Sequence, residues 1–380
     1  MTPRHSARAE QHATRAAFFM PGFAVSVWAP IVPFAKARAG LDEAMLGLVL
    51  LCLGAGSLLA MPLAGALTAR QGCRKVMLGS LLLMCLTLPL LALAGSPWWL
   101  GAVLFVFGAG VGAMDCAMNL QAVAVERHAG RAMMSGFHAF YSIGGFCGAA
   151  AMTALLAAAV PPVWAAAGAV VALIALAACS VPYWHRERID HDGPLLAWPH
   201  GFVLFLGVLA FVVFLAEGSM LDWSAVFLSE VRGVEPSRAG TGYVVFALSM
   251  TLARLLGDGV VERLGRQRTV LVGGLLAAAG FLLVTVVPAW LPGLLGYALV
   301  GIGCANIVPV LFSLAGNQRA MPEAMAIPGM STLGYAGVLA GPALIGFVAH
   351  ASSLVFAFLC VAVALFGVAL SARWLRGQAE

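Results

Sequence analysis

The chain has 380 residues, 62% of them hydrophobic and only 10% charged, with a formal net charge of +5. Soluble domains carry about 25% charged residues, so this composition excludes a water-exposed globular domain. Apolar runs of about 20 residues recur, the length a helix needs to cross the hydrocarbon layer. Strict apolar–polar alternation is absent, which excludes a closed barrel, the other structure lipid tolerates.

Twelve apolar segments are predicted as membrane-spanning helices. The first covers 16–37 and holds Trp28-Ala29-Pro30 and Pro33, which should break or kink it. Residues 1–15 are polar and the run after them is too long for a signal core, so no cleavable signal is expected. Spans two and three, 45–68 and 76–94, flank the loop GALTARQGCRK (65–75). Span four, 98–125, contains GVGAMDCAMNLQ (110–121). Its Asp115 lies roughly 25 Å along the helix from Trp98, deep in the bilayer. Asn119 shares its face at i+4. A charge at that depth costs at least about 2.5–3.5 kcal/mol, so Asp115 is a candidate proton carrier. The alternative is a polar contact holding two helices together.

Span five, 133–160, carries His138 and Tyr141 one turn apart, in HAFYSIGGFCGA (138–149). An imidazole there could relay protons or satisfy a helix contact. Span six is 163–182, and the polar stretch YWHRERIDHDGPLLAWP, 183–199, follows. Span seven, 200–228, holds Glu217 near its middle and Asp222 and Trp223 near its end. Glu217 is a second proton-coupling candidate, and Trp223 is an interface anchor or a cavity wall. Span eight, 240–262, holds Arg254 and, one turn on, Asp258. The spacing permits an ion pair; Arg254 could equally meet an anionic solute or an acid of span four or seven. Spans nine to twelve are 269–288, 291–317, 324–349 and 352–372. Small residues four apart in GFCGAA and GVLAGPALIG mark spans five and eleven as packing surfaces.

Basic residues segregate. With the termini inside, the cytoplasmic segments hold sixteen of the 21 Lys and Arg, the external loops hold four, and Arg254 lies within a span. The bias places both termini in the cytoplasm, and the excess basicity is a topological signal, with no nucleic-acid partner implied. The eight cysteines show no paired spacing; seven lie in apolar spans and Cys73 in a loop, so neither a disulfide nor a zinc site is expected. No other metal and no cofactor is expected.

The two halves repeat. GVGAMD (110–115) matches GIGCAN (301–306), which puts Asn306 at the repeat position of Asp115. ARQGCRK (69–75) matches ERLGRQR (262–268), with Gly72 aligned to Gly265. YSIGG (141–145) faces TLGYAG (332–337). The expected organisation is an N-terminal six-helix bundle over 1–182, a cytoplasmic linker over 183–199 and a C-terminal six-helix bundle over 200–380.

This layout resembles the major facilitator superfamily over nearly the whole chain. The most specific match is Gly65, Arg70, Gly72, Arg74 and Lys75 in the first loop, with Ala69 where the superfamily carries an aspartate. The second copy keeps an acid–base pair as Glu262–Arg263, ahead of Gly265. The resemblance implies that this loop latches helices on the cytoplasmic side, and that Ala69 shifts more of that role to the second copy. GVGAMDCAMNLQ, HAFYSIGGFCGA and LAEGSMLDWSAVFL (215–228) are similar to a bacterial inner-membrane branch related to fucose permeases. That resemblance implies an all-α membrane protein working as a monomer and coupling a small solute to protons. Asp115, Glu217 and His138 are then the proton-handling candidates, and Asn119, Tyr141, Asn306, Trp28, Trp223 and Arg254 the solute-binding ones. Helix one has no acid, unlike the fucose group. Proton-driven efflux is the other transport reading. No GxxxxGK[ST], HExxH or G-x-S-x-G motif is present, which argues against ATP-driven or enzymatic activity.

Overall fold

The computed structural model describes residues 7–41, 43–185, 198–235 and 240–375. Linker residues 186–197, including Arg186 and Arg188, lie outside the described residues, as do Arg4, Arg238 and Arg376. The described residues are helical, with no strand among them. Among the described residues, eleven helices are long and apolar enough to cross a membrane, or twelve if the bent pair Glu323–Gly341 and Ala343–Ala351 is one span.

In chain order they are α1 (Ala7–Ala39), α2 (Glu43–Gln71), α3 (Cys73–Leu93), α4 (Pro97–Ala129), α5 (Met134–Ala157) and α6 (Pro162–Ser180). Then follow α7 (Gly201–Val231), α8 (Thr241–Leu264), α9 (Arg266–Val286), α10 (Trp290–Asn317), α11 (Glu323–Ala351) and α12 (Leu354–Ser371). The 3₁₀ turn Ala29–Ile31 interrupts α1 at the predicted Trp28-Ala29-Pro30. Cys73 is the buried first residue of α3, not a loop residue.

Helix ends follow side-chain chemistry. Ser96 caps α4 by accepting the Trp99 N–H at 3.3 Å, and Ser353 caps α12 by accepting the Phe356 N–H at 3.1 Å. Gly72 joins α2 to α3 at φ 82, ψ 158, and Gly265 joins α8 to α9 at φ 78, ψ 158. A positive φ of this kind suits glycine and strains other residues, so the duplicated loop motif needs glycine at both positions.

The chain forms two compact units. The first comprises Met1–Gly130, Phe140–Trp198 and Pro322–Gly329; the second comprises Arg131–Ala139, Pro199–Met321 and Met330–Glu380. In the first, α2 packs most extensively on α4. In the second, α10 packs on α9 and α8, and α9 also packs on α12. Because lipid is as apolar as leucine, close packing of small residues holds such helices together.

Candidate functional site

In the second unit, a break in α10 organises the polar residues. Its two pieces are Trp290–Cys304 and Ile307–Asn317, and Pro309 explains the gap. Proline has no N–H and crowds the carbonyl four residues back, which here belongs to Ala305. A carbonyl freed inside a membrane needs another donor. Arg254 of α8 supplies it, donating from Nε to the Ala305 oxygen at 3.2 Å. The same guanidinium donates from Nη2 to Glu217 Oε1 of α7 at 3.4 Å. Arg254 is 8% exposed, so its charge requires the counter-ion that Glu217 provides. Asn306, at the break, donates from Nδ2 to the Ala253 carbonyl at 3.4 Å. Its Oδ1 is shielded and has no hydrogen-bond partner among the described residues.

Two other candidates lie in this unit. The His138 ring rests against Phe312 of α10, centroids 5.5 Å apart. Trp223 is half-buried against Gly346, its indole Nε1 shielded without a partner among the described residues. Asp222 beside it is exposed.

In the first unit, Asp115 is 7% exposed, and its Oδ2 has no hydrogen-bond partner among the described residues. Gly108, Gly112, Asp115 and Asn119 recur at four- and three-residue steps, so they share one face of α4. At Gly108 and Gly112 a Cβ would strike the carbonyls of Leu53 and Ser57, so this face is the seam with α2. Asp115 follows on the same face, toward the C-terminal end of α4. Asn119 Nδ2 donates to the Asp115 backbone carbonyl at 2.9 Å, leaving a shielded Oδ1. Trp28 is buried where α1 breaks, and the Tyr141 carbonyl of α5 lies against Gly22 of α1.

The latch candidates divide. Gly65 has no room for a Cβ, with Ala324 and Pro328 of α11 against it. Arg74 uses its backbone N–H on the His185 carbonyl at 2.9 Å, and Arg70 is exposed. Glu262 and Arg263, the expected acid–base pair, are both exposed. The acid engaged near them is Asp258, whose two carboxylate oxygens each accept the Gly136 N–H of α5 at 3.1 Å. A carboxylate at a helix N-terminus satisfies orphan amides and the helix dipole. In the first unit Arg127, near the end of α4, pairs with Glu323, the first residue of α11, at 2.8 Å. Sequence reading missed both contacts. Asp258 had a signal, since the repeat aligns it with Gly65, the position packed on the start of α11.

These features define a multi-pass helical membrane protein with ionisable groups among its spans. The model of the Major Facilitator Superfamily matches residues 16–326. The chain belongs to that superfamily. It is 52% identical to an uncharacterized MFS-type transporter of Yersinia pestis, over 96% of this chain and 95% of that one. Among solved structures it is similar to the E. coli fucose:proton symporter FucP, with TM-score 0.79 and 15% identity over 97% of this chain and 99% of that chain. It is also similar to the human organic anion transporter MFSD10, with TM-score 0.76 and 18% identity over 98% of this chain and 100% of that chain. Likeness at such identities establishes the fold alone.

Proposed function

We propose that this transporter moves a small, partly apolar solute across a bacterial inner membrane by alternating access, coupled to protons as a symporter. Both termini face the cytoplasm and the monomer is the working unit. The observation that carries the proposal is Asp115: a carboxyl inside a membrane-spanning helix whose Oδ2 has no hydrogen-bond partner among the described residues. An ionised carboxylate buried without a partner is costly, and a bound proton removes that cost. Glu217 is the second acid, held by Arg254, and a proton or a solute anion can compete for that pair. FucP, a fucose:proton symporter of the same fold, supports the direction.

The test is reconstitution in proteoliposomes with a solute identified by a thermal-shift screen at two pH values. Asp115→Asn is expected to abolish uphill uptake while preserving solute exchange. Unchanged uphill uptake removes Asp115 from the coupling. Symport predicts that added solute makes the medium outside intact cells more alkaline; acidification instead identifies antiport.

A further inference from the structure

On the first unit, away from the membrane-interior residues above, three side chains from distant parts of the sequence converge. Glu10 lies in the first turn of α1, His128 in the last turn of α4, and His185 just after α6. One ligand atom from each lies within 4.8 Å of the others. His185 Nε2 is 4.0 Å from Glu10 Oε2, and the two imidazole rings face each other with centroids 5.8 Å apart, inclined by 27°.

A buried hydrogen-bond network sets this convergence. Thr14, one turn beyond Glu10, donates to the Glu10 carbonyl at 2.8 Å and accepts from Gln121 Nε2 at 3.0 Å. Gln121 Oε1 accepts the His185 N–H at 3.2 Å, and the His185 carbonyl accepts the Arg74 N–H at 2.9 Å. Both Thr14 and Gln121 are fully buried. The neighbouring Trp184 is 2% exposed and donates from its indole to the Ala13 carbonyl at 3.2 Å. His128 stands seven residues after Gln121, two turns along the same face of α4. The network thus ties the backbones of Glu10 and His185 together through Thr14 and Gln121, with His128 two turns further along α4.

We propose that Glu10, His128 and His185 form a binding site for a divalent transition metal, with Zn²⁺ the best-matched ion. Two imidazoles and one carboxylate suit zinc and its neighbours, whereas Mg²⁺ and Ca²⁺ prefer all-oxygen shells. Zinc bonds of about 2.0–2.2 Å place tetrahedral ligands about 3.3 Å apart, so the cluster closes on the ion by small rotations. His128 is exposed, which leaves its side chain solvent to turn through. Water fills the fourth position. Binding ties α1, α4 and the start of the inter-bundle linker together.

The test uses tag-free, full-length protein in detergent, with Co²⁺ as a spectroscopic probe and Zn²⁺ as its competitor. We expect one Co²⁺ per chain with a visible ligand-field band, displacement by Zn²⁺, and a rise in melting temperature on adding Zn²⁺. Losing even an outer-shell partner costs metal affinity about 10–100-fold, so His128→Gln and Glu10→Gln should each weaken binding at least tenfold. His12→Gln, a neighbouring histidine outside the cluster, should leave it unchanged. Absence of a Zn²⁺-displaceable band in the parent, or unaltered bands and affinities in both ligand variants, overturns the site. Neither outcome bears on Asp115 or on proton coupling.

Discussion

Arg254 donates its Nε to the Ala305 carbonyl at 3.2 Å, in place of the helical N–H that Pro309 cannot supply. Three helices meet through this one guanidinium, because its Nη2 also reaches Glu217. Breaking a buried ion pair from one side is costly, since the other charge is left behind. Arg254→Ala should therefore destabilise the protein by about 3 kcal/mol. Adding Glu217→Gln should recover part of that loss, read as melting temperature in detergent. A double variant as unstable as the sum of the two singles would show that the pair is not coupled.

Gly72→Ala and Gly265→Ala force a side chain into an extended positive-φ conformation that is essentially glycine-only, at a cost of about 1–3 kcal/mol each. Gly168→Ala, inside α6 with nothing within 4 Å of its Cβ position, is the control and should be neutral or stabilising by up to about 1 kcal/mol. Thermal unfolding of the three variants checks the contrast.

Asp258→Ala takes the acceptor away from the Gly136 amide. A lost helix cap costs about 1 kcal/mol, and the first turn of α5 should exchange its amide hydrogens faster. Asp258→Asn keeps an acceptor oxygen and should lose less. Hydrogen–deuterium exchange over the segment beginning at Met134 measures both.

The Arg127–Glu323 pair is short, yet the arginine side chain is 48% exposed. Solvent screening limits such pairs to about 0–1 kcal/mol. Arg127→Ala should lower stability by less than about 1 kcal/mol, and added salt should shrink the difference from the parent. A larger, salt-insensitive loss would mean that packing of the arginine stem, and not charge, holds this contact.

The spans were legible because apolarity is a property of consecutive residues, and the repeat because two loops need the same glycine. Asp115, Glu217 and Arg254 each stood out as ionisable residues in apolar runs. Glu217 was only one of several partners open to Arg254, because the two residues sit on different helices and periodicity carries no information between helices. The α10 break had a local signal in Pro309, but the span read as continuous since hydropathy does not register a missing amide. Asp258 was visible as a neighbour of Arg254 and as the repeat position of Gly65, but its partner was not, because that partner is a backbone N–H, which every residue except proline offers. Glu10, His128 and His185 matched no metal-binding motif, since those motifs register ligands a few residues apart.

An arginine standing in for a covalently deleted rung makes α10 a rod with a joint whose pin can be pulled. If a proton on the carboxylate or a competing anion on the guanidinium parted Glu217 from that pin, the guanidinium would lose one of the contacts that hold it against Ala305. Chemistry at one side chain would then set the stiffness of a whole span. Glu217→Gln should accordingly speed amide exchange at Ile307–Leu311 more than in the first piece of the helix.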